Sequence, residues 1–323
     1  MLHRFLFASL IAMTSTAIAR ERIPTTYEAG HFFVHLHTQD GRSLRLVVDS
    51  GGAGGSGLYV LEPKAVKRLQ LPEIRCSSFD SETPLYALPA DRWKGIPDAP
   101  GTPCGATALA ARTGLGQGDG NLGAGYLPAF TWTFDYPARA LWLESPDWRA
   151  PAGMRGLPMF FPRNARGQRA AGLPRIQLDI AGQTLSFLLD TGATAKPTAE
   201  GLTASGIETF NGLGVTSYIN TSILERWHRE HPEWRMVNNG DALMGSRIIE
   251  LPALDVAGWR IGPVWFTERP DGAFDETSGI SQYMDAEVVG AIGANVWQRF
   301  TMTLDYPHAT VWLSCSHCEG AEH

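Results

Sequence analysis

Apolar and polar residues alternate at a period of two through much of this chain. Phe33-Val34-His35-Leu36-His37 alternates, breaks at Gln39-Asp40-Gly41 and resumes as Leu44 to Val48. Ile176-Gln177-Leu178-Asp179-Ile180 alternates too, breaks at Ala181-Gly182 and resumes as Leu185 to Leu189. Period-two runs on either side of Asp-Gly or Ala-Gly predict β-hairpins, because successive strand side chains face opposite ways and glycine accepts the turn geometry. Each hairpin delivers an aspartate at its end, Asp49 in the first and Asp190 in the second. Near 220–234 the pattern predicts a helix instead: Thr221 or Ser222 offers a cap, Glu225 lies three residues past Ser222, and Pro232 marks the end. A total of 35 Gly and 21 Pro fits a turn-rich β protein better than a helical one.

The two hairpins belong to a longer repetition. Leu46-Val47-Val48-Asp49-Ser50-Gly51 recurs as Phe187-Leu188-Leu189-Asp190-Thr191-Gly192. Gly120-Asn121-Leu122-Gly123-Ala124 recurs as Gly290-Ala291-Ile292-Gly293-Ala294. Thr133-Phe134-Asp135-Tyr136-Pro137 through Leu141-Trp142-Leu143 recurs as Thr303-Leu304-Asp305-Tyr306-Pro307 through Val311-Trp312-Leu313, and these last two pairs share one register, 170 positions apart. A register held over that length reads as a duplication that supplies two matching carboxylates. The helix near 220–234 has no evident partner in the first half and reads as an insert.

Asp-Ser-Gly or Asp-Thr-Gly at a strand end, with an apolar-Gly pair far downstream, resembles the aspartic peptidases of the pepsin and retropepsin group. Asp49-Ser50-Gly51 with Leu122-Gly123, and Asp190-Thr191-Gly192 with Ile292-Gly293, carry the resemblance, which spans roughly 30–145 and 172–314. It implies a mostly all-β, bilobal acid-protease fold: two similar β-barrel-like lobes with a cleft between them. The lobes would occupy 20–145 and 173–323, joined by a Pro-, Gly- and Arg-rich linker at 146–172. It further implies an aspartic endopeptidase with Asp49 and Asp190 as catalytic residues. Ser50, Gly51, Thr191 and Gly192 would form the active turns, the two hydroxyls bonding across to the opposite lobe. A flap hairpin would close over an extended peptide or protein substrate, near 77–87 in one lobe and 238–249 in the other, with Tyr86 a candidate flap tyrosine. No cofactor or metal is implied. Many pepsin-like members have Ser or Thr after the glycine, donating to the outer carboxylate oxygen. Gly52 and Ala193 stand there instead, so each aspartate is expected to have one donor fewer.

At 323 residues the chain is long enough for two cored lobes, and its formal charge of −6 gives no basic footprint for nucleic acid. His3 and Arg4, the apolar run Phe5 to Met13 and Ala17-Ile18-Ala19 predict a signal peptide over 1–19, with an uncleaved anchor as the alternative. The run is too short to span a bilayer, so the mature chain is expected without a span, exported to a periplasmic or secreted location, as a monomer. In an oxidising compartment the four cysteines suggest the disulfides Cys76–Cys104 and Cys315–Cys318, with a zinc site as the alternative.

Other signals compete for these residues. Asp49-Ser50-Gly51-Gly52 also spells a serine-peptidase core, which would require a histidine base for Ser50. Gly118-Asp119-Gly120-Asn121-Leu122-Gly123 matches a dinucleotide-binding pattern, but no helix signal follows it. His35 and His37, and His228 and His231, lack the partners or spacing of a metal site and read as surface residues. The rival function from another class is an exported, non-catalytic peptide-binding protein that keeps the cleft without the chemistry.

Overall fold

The computed structural model describes residues 20–52, 58–76, 84–88, 94–98, 107–110 and 118–318. The first lobe holds an eight-stranded sheet. Its spatial order is Thr25–Glu28, His31–His37, Ser43–Val48, Gly120–Leu122, Leu58–Leu61, Thr107–Ala110, Leu85–Ala87, Glu73–Ile74. The second lobe's sheet runs Arg175–Ile180, Gln183–Asp190, Gly290–Gly293, Ser217–Asn220, Val264–Arg269, Ser246–Leu251, Met236–Asp241. With Thr25–Glu28 set aside, the two orders correspond strand for strand. Among the described residues both sheets are open, ending on the edge strands Glu73–Ile74 and Met236–Asp241, and neither closes into a barrel.

Both predicted hairpins form, with His31–His37 antiparallel to Ser43–Val48 and Arg175–Ile180 antiparallel to Gln183–Asp190. The downstream apolar-Gly segments then pair in parallel with the strands that carry the aspartates. Val48 lies opposite Leu122 and Leu189 opposite Ile292, and all four side chains are buried in one core.

Among the described residues, three helices of seven residues or more dress the sheets. Helix α1 (Pro63–Leu69) follows the strand Leu58–Leu61, begins on a proline whose fixed φ suits a first helical turn, and buries Ala65, Val66 and Leu69. Helix α2 (Ala199–Ser205) is capped by the Thr198 side chain. Helix α3 (Thr221–Glu230) follows Ser217–Asn220 and buries Ile223, Leu224 and Trp227. The helix expected near 220–234 therefore exists, but its cap is Asn220, which accepts from the Ile223 amide at 2.9 Å. Nor is it an insert, because α1 holds the equivalent place in the first lobe. The segment without a counterpart is the one bearing α2, closed off by pairing of Thr194–Ala195 with Gly214–Val215.

A six-stranded sheet joins the lobes, in the order Glu21–Ile23, Ala140–Leu143, Thr131–Asp135, Thr301–Asp305, Thr310–Ser314, Arg155–Pro158. At its centre Thr133 faces Thr303, and their hydroxyls hydrogen-bond at 2.7 Å. The linker expected at 146–172 is not a free tether, since Arg155–Pro158 is this sheet's edge strand. Cys315 and Cys318 form a disulfide, and Cys76 is also disulfide-bonded. Its expected partner, Cys104, lies outside the described residues. Among the described residues no helix is long and apolar enough to cross a membrane.

Candidate active site

The two aspartate-bearing turns meet where the lobes join. Ser50 donates its hydroxyl to the Leu189 carbonyl at 2.7 Å, and Thr191 donates its hydroxyl to the Val48 carbonyl at 2.8 Å. In return the Ser50 amide donates to Thr191 Oγ1 and the Thr191 amide to Ser50 Oγ, each at 3.0 Å. Four reciprocal bonds between buried groups fix one turn against the other. They also commit Ser50, which is fully buried and, among the described residues, has no histidine partner: His31 bonds Thr194 and His35 bonds Thr26. Among the described residues a serine nucleophile has no base here.

The grip brings Asp49 and Asp190 together. Both are buried and their carboxyls hydrogen-bond to each other. Each turn glycine makes room for the opposite carboxylate. A Cβ on Gly51 would stand 2.7 Å from both carboxyl oxygens of Asp190, and one on Gly192 would stand 2.5 and 2.7 Å from those of Asp49. Real Cβ contacts do not come so close, so no larger residue fits either position without moving the dyad.

Burial lifts both carboxyl pKa values above the ordinary range, because a low-dielectric site disfavours charge. The two are not equivalent. Asp49 accepts from the Gly51 amide at 3.1 Å, from the Gly52 amide, from Asn121 Nδ2 at 3.3 Å and from Asp190, and these donors pull its pKa back down. Asp190 accepts from the Gly192 amide at 2.9 Å and from the Ala193 amide, while the charge of Asp49 pushes it well above the usual range. The larger donor set lies on Asp49, which favours the ionised form on that side of the pair.

Several groups at this junction carry no motif that marks them in the sequence. His31 reaches from the first lobe to the hydroxyl of Thr194 at 2.9 Å, and burial lowers its pKa to about 4. The Tyr218 hydroxyl accepts from the Thr194 amide and donates to the Thr194 carbonyl, each at 2.7 Å. Arg269 stacks on the Tyr218 ring at 4.2 Å and pairs with buried Asp241 at 3.1 Å, whose other oxygen accepts from the Lys196 amide at 2.7 Å. This buried chain holds the segment that follows the second turn.

Of the remaining candidates, Tyr86 lies half-buried in Leu85–Ala87, a strand of the first lobe's sheet, and packs against the core. The expected first flap at 77–87 falls mostly outside the described residues. The second, at 238–249, falls within a hairpin of Met236–Asp241 and Ser246–Leu251 whose turn exposes Leu243 and Met244. The glycine-rich match at 118–123 continues into the strand Gly120–Leu122, with no helix N-terminus to receive phosphate. Among the described residues no three His, Cys, Asp or Glu side chains converge as metal ligands. A cavity of about 330 Å³ is lined by residues including Ala195, Val215, Ile248, Trp265 and Asn295, and neither carboxylate borders it.

The structure is similar to the crystal structure of an aspartic proteinase from Irpex lacteus, with a TM-score of 0.46 and 10% identity over 93% of this chain and 98% of that one. Basic 7S globulin from soybean gives a TM-score of 0.45 and 11% identity over 94% and 99% of the two chains. A retropepsin-like aspartic protease from Rickettsia conorii gives 0.26 and 14%, covering 52% of this chain and 95% of that one. No family model and no curated protein matches the sequence.

Proposed function

We propose that this chain is an aspartic endopeptidase in which Asp49 is the base and Asp190 the acid. The observation that carries the reading is the hydrogen-bonded pair of buried carboxyls, one from each lobe, with unequal donor sets. Two carboxyls in contact cannot both ionise cheaply, so they hold one proton between them. Paired buried acids have little structural use, which favours chemistry over a passive binding role.

The steps balance with water as the only co-reactant. Asp49 takes a proton from water as its oxygen attacks the peptide carbonyl carbon, and Asp190 gives its proton to the carbonyl oxygen. The tetrahedral diol then collapses. The C–N bond breaks, the leaving nitrogen takes the proton from Asp49, and a diol hydroxyl returns its proton to Asp190. The substrate on this reading is a peptide or protein in extended form. The same reading takes the chain as an internal duplication, monomeric and exported after loss of 1–19. The Cys315–Cys318 disulfide supports an oxidising compartment.

Incubating residues 20–323 with acid-denatured protein tests the proposal. Cleavage is expected for the native chain, with a loss of at least about a thousandfold in Asp49→Asn, in Asp190→Asn and in the double variant alike, because the carboxyls act as a unit. A folded native chain that cleaves nothing, or cleavage that survives in Asp190→Asn, overturns it.

A further inference from the structure

Asp49 has a donor that Asp190 lacks. Asn121 lies in the strand Gly120–Leu122, is 4% exposed, and directs its amide nitrogen at Asp49 Oδ2 from 3.3 Å. The matching residue of the second lobe is Ala291, a methyl packed with Leu188, Phe274 and Met284. An amide in place of a methyl is unfavourable there unless it is used. Asn121 Oδ1 is buried without a hydrogen bond among the described residues, which is destabilising. The orientation follows from the chemistry, since an ionised carboxylate only accepts and must face the NH₂ end of the amide.

The residue after the first turn glycine fits the same picture. A Cβ on Gly52 would overlap Asn121 Nδ2 and stand 2.7 Å from Asp49 Oδ2. The space where a side chain would begin is the space where amide and carboxylate meet. The second turn has a methyl at the matching position, Ala193, and no amide.

We propose that Asn121 is a positioning residue that holds Asp49 as the ionised member of the dyad, supplying from a neighbouring strand the donor that a hydroxyl at position 52 would otherwise give. The expectation that Asp49 has one donor fewer is offset by this contact. The proposal deepens the peptidase reading and rests on it for the role of Asp49. Asp190 from the other turn and Tyr306, in the turn after Thr301–Asp305, are the titratable groups that interact with Asp49, and burial keeps the Tyr306 phenol neutral.

The test reads the carboxyl without needing hydrolysis. In folded Asp190→Asn protein labelled with ¹³C at the aspartate carboxyls, Asp49 titrates with no partner acid. Asn121→Leu keeps the side chain's shape and removes the donor. It is expected to raise the Asp49 pKa by about one unit, a tenfold gain in proton affinity. In the Asp190-containing protein the same change should move the acid limb of kcat/KM upward by a similar amount and lower kcat with little change in KM. If Asn121→Leu does not fold, the native protein decides: the Asn121 side-chain amide signals must titrate in step with Asp49. An Asp49 pKa unmoved by Asn121→Leu, or amide signals that ignore the Asp49 titration, overturns the proposal. A chain that cleaves nothing while these titrations behave as expected would sink the peptidase reading and leave the Asn121 contact standing.

Discussion

His31 crosses from the first lobe to Thr194 of the second, and its burial carries a pH dependence whose sign can be worked out. Its pKa falls from 6.5 unfolded to about 4 folded, because the site disfavours the imidazolium. Between those values the unfolded chain binds more protons than the folded one, so stability is lost as pH falls from about 6.5 and levels off below about 4. The full loss is on the order of 3 kcal/mol. Urea unfolding at pH 7 and pH 4 checks this. His31→Gln retains a polar partner for Thr194 and should lose about 3 kcal/mol less than the native chain over that interval. Equal losses in the two proteins would show that His31 does not set the acid sensitivity of the junction. His31 stands in no motif, and the two patterns that contain Asn121 give its amide no role. A histidine or asparagine in an apolar run is legible as a functional group only once folding brings an opposite-lobe hydroxyl or a carboxylate beside it.

At the scale of elements, the paired turns are the part of the site that the sequence foretells most fully. The alternation on either side of Asp40-Gly41 and Ala181-Gly182 predicts the hairpins, and the hairpins deliver Asp49 and Asp190. The four bonds of Ser50 and Thr191 then make the two turns one unit. Ser50→Ala and Thr191→Val should each leave two buried groups unpaired and destabilise by roughly 2–6 kcal/mol, counting about 1–3 kcal/mol for each group left without a partner. Chemical denaturation measures that. Hydrolysis should persist in Ser50→Ala under conditions where it stays folded, since no step uses that hydroxyl. Helix equivalence is less legible. α1 and α3 share a pattern, burying Ala65, Val66 and Leu69 against Ile223, Leu224 and Trp227, but hardly any residue identity. The helix requires only an apolar stripe, so many sequences serve. That is why α3 reads as an insert until the sheet order puts α1 opposite it.

At the scale of the whole molecule, the two lobes share both a sheet and a core. Thr131–Asp135 pairs with Thr301–Asp305 across the joint, and Trp132, Phe134, Met302 and Leu304 are buried in one cluster that also reaches Val48 and Leu189. The 170-residue register foretells that these strands match, though not that they pair with each other. Pairing is a choice of partner that periodicity does not encode. Lobes so joined should unfold together, giving one calorimetric transition with coincident far- and near-ultraviolet signals; two separated transitions would contradict a shared core. The carboxyl pair exists only in this joined state, so the proposed chemistry belongs to the whole molecule. The most direct test is the pH dependence of kcat/KM on a denatured protein substrate. A dyad holding one proton gives a bell whose acid limb is the ionisation of Asp49 and whose alkaline limb is the loss of the Asp190 proton. Burial raises both, so the bell should peak in mild acid, above the ordinary carboxylate range, and vanish in Asp190→Asn. A profile that instead climbs to a plateau through neutral pH, survives in Asp190→Asn and disappears in Ser50→Ala would contradict the account.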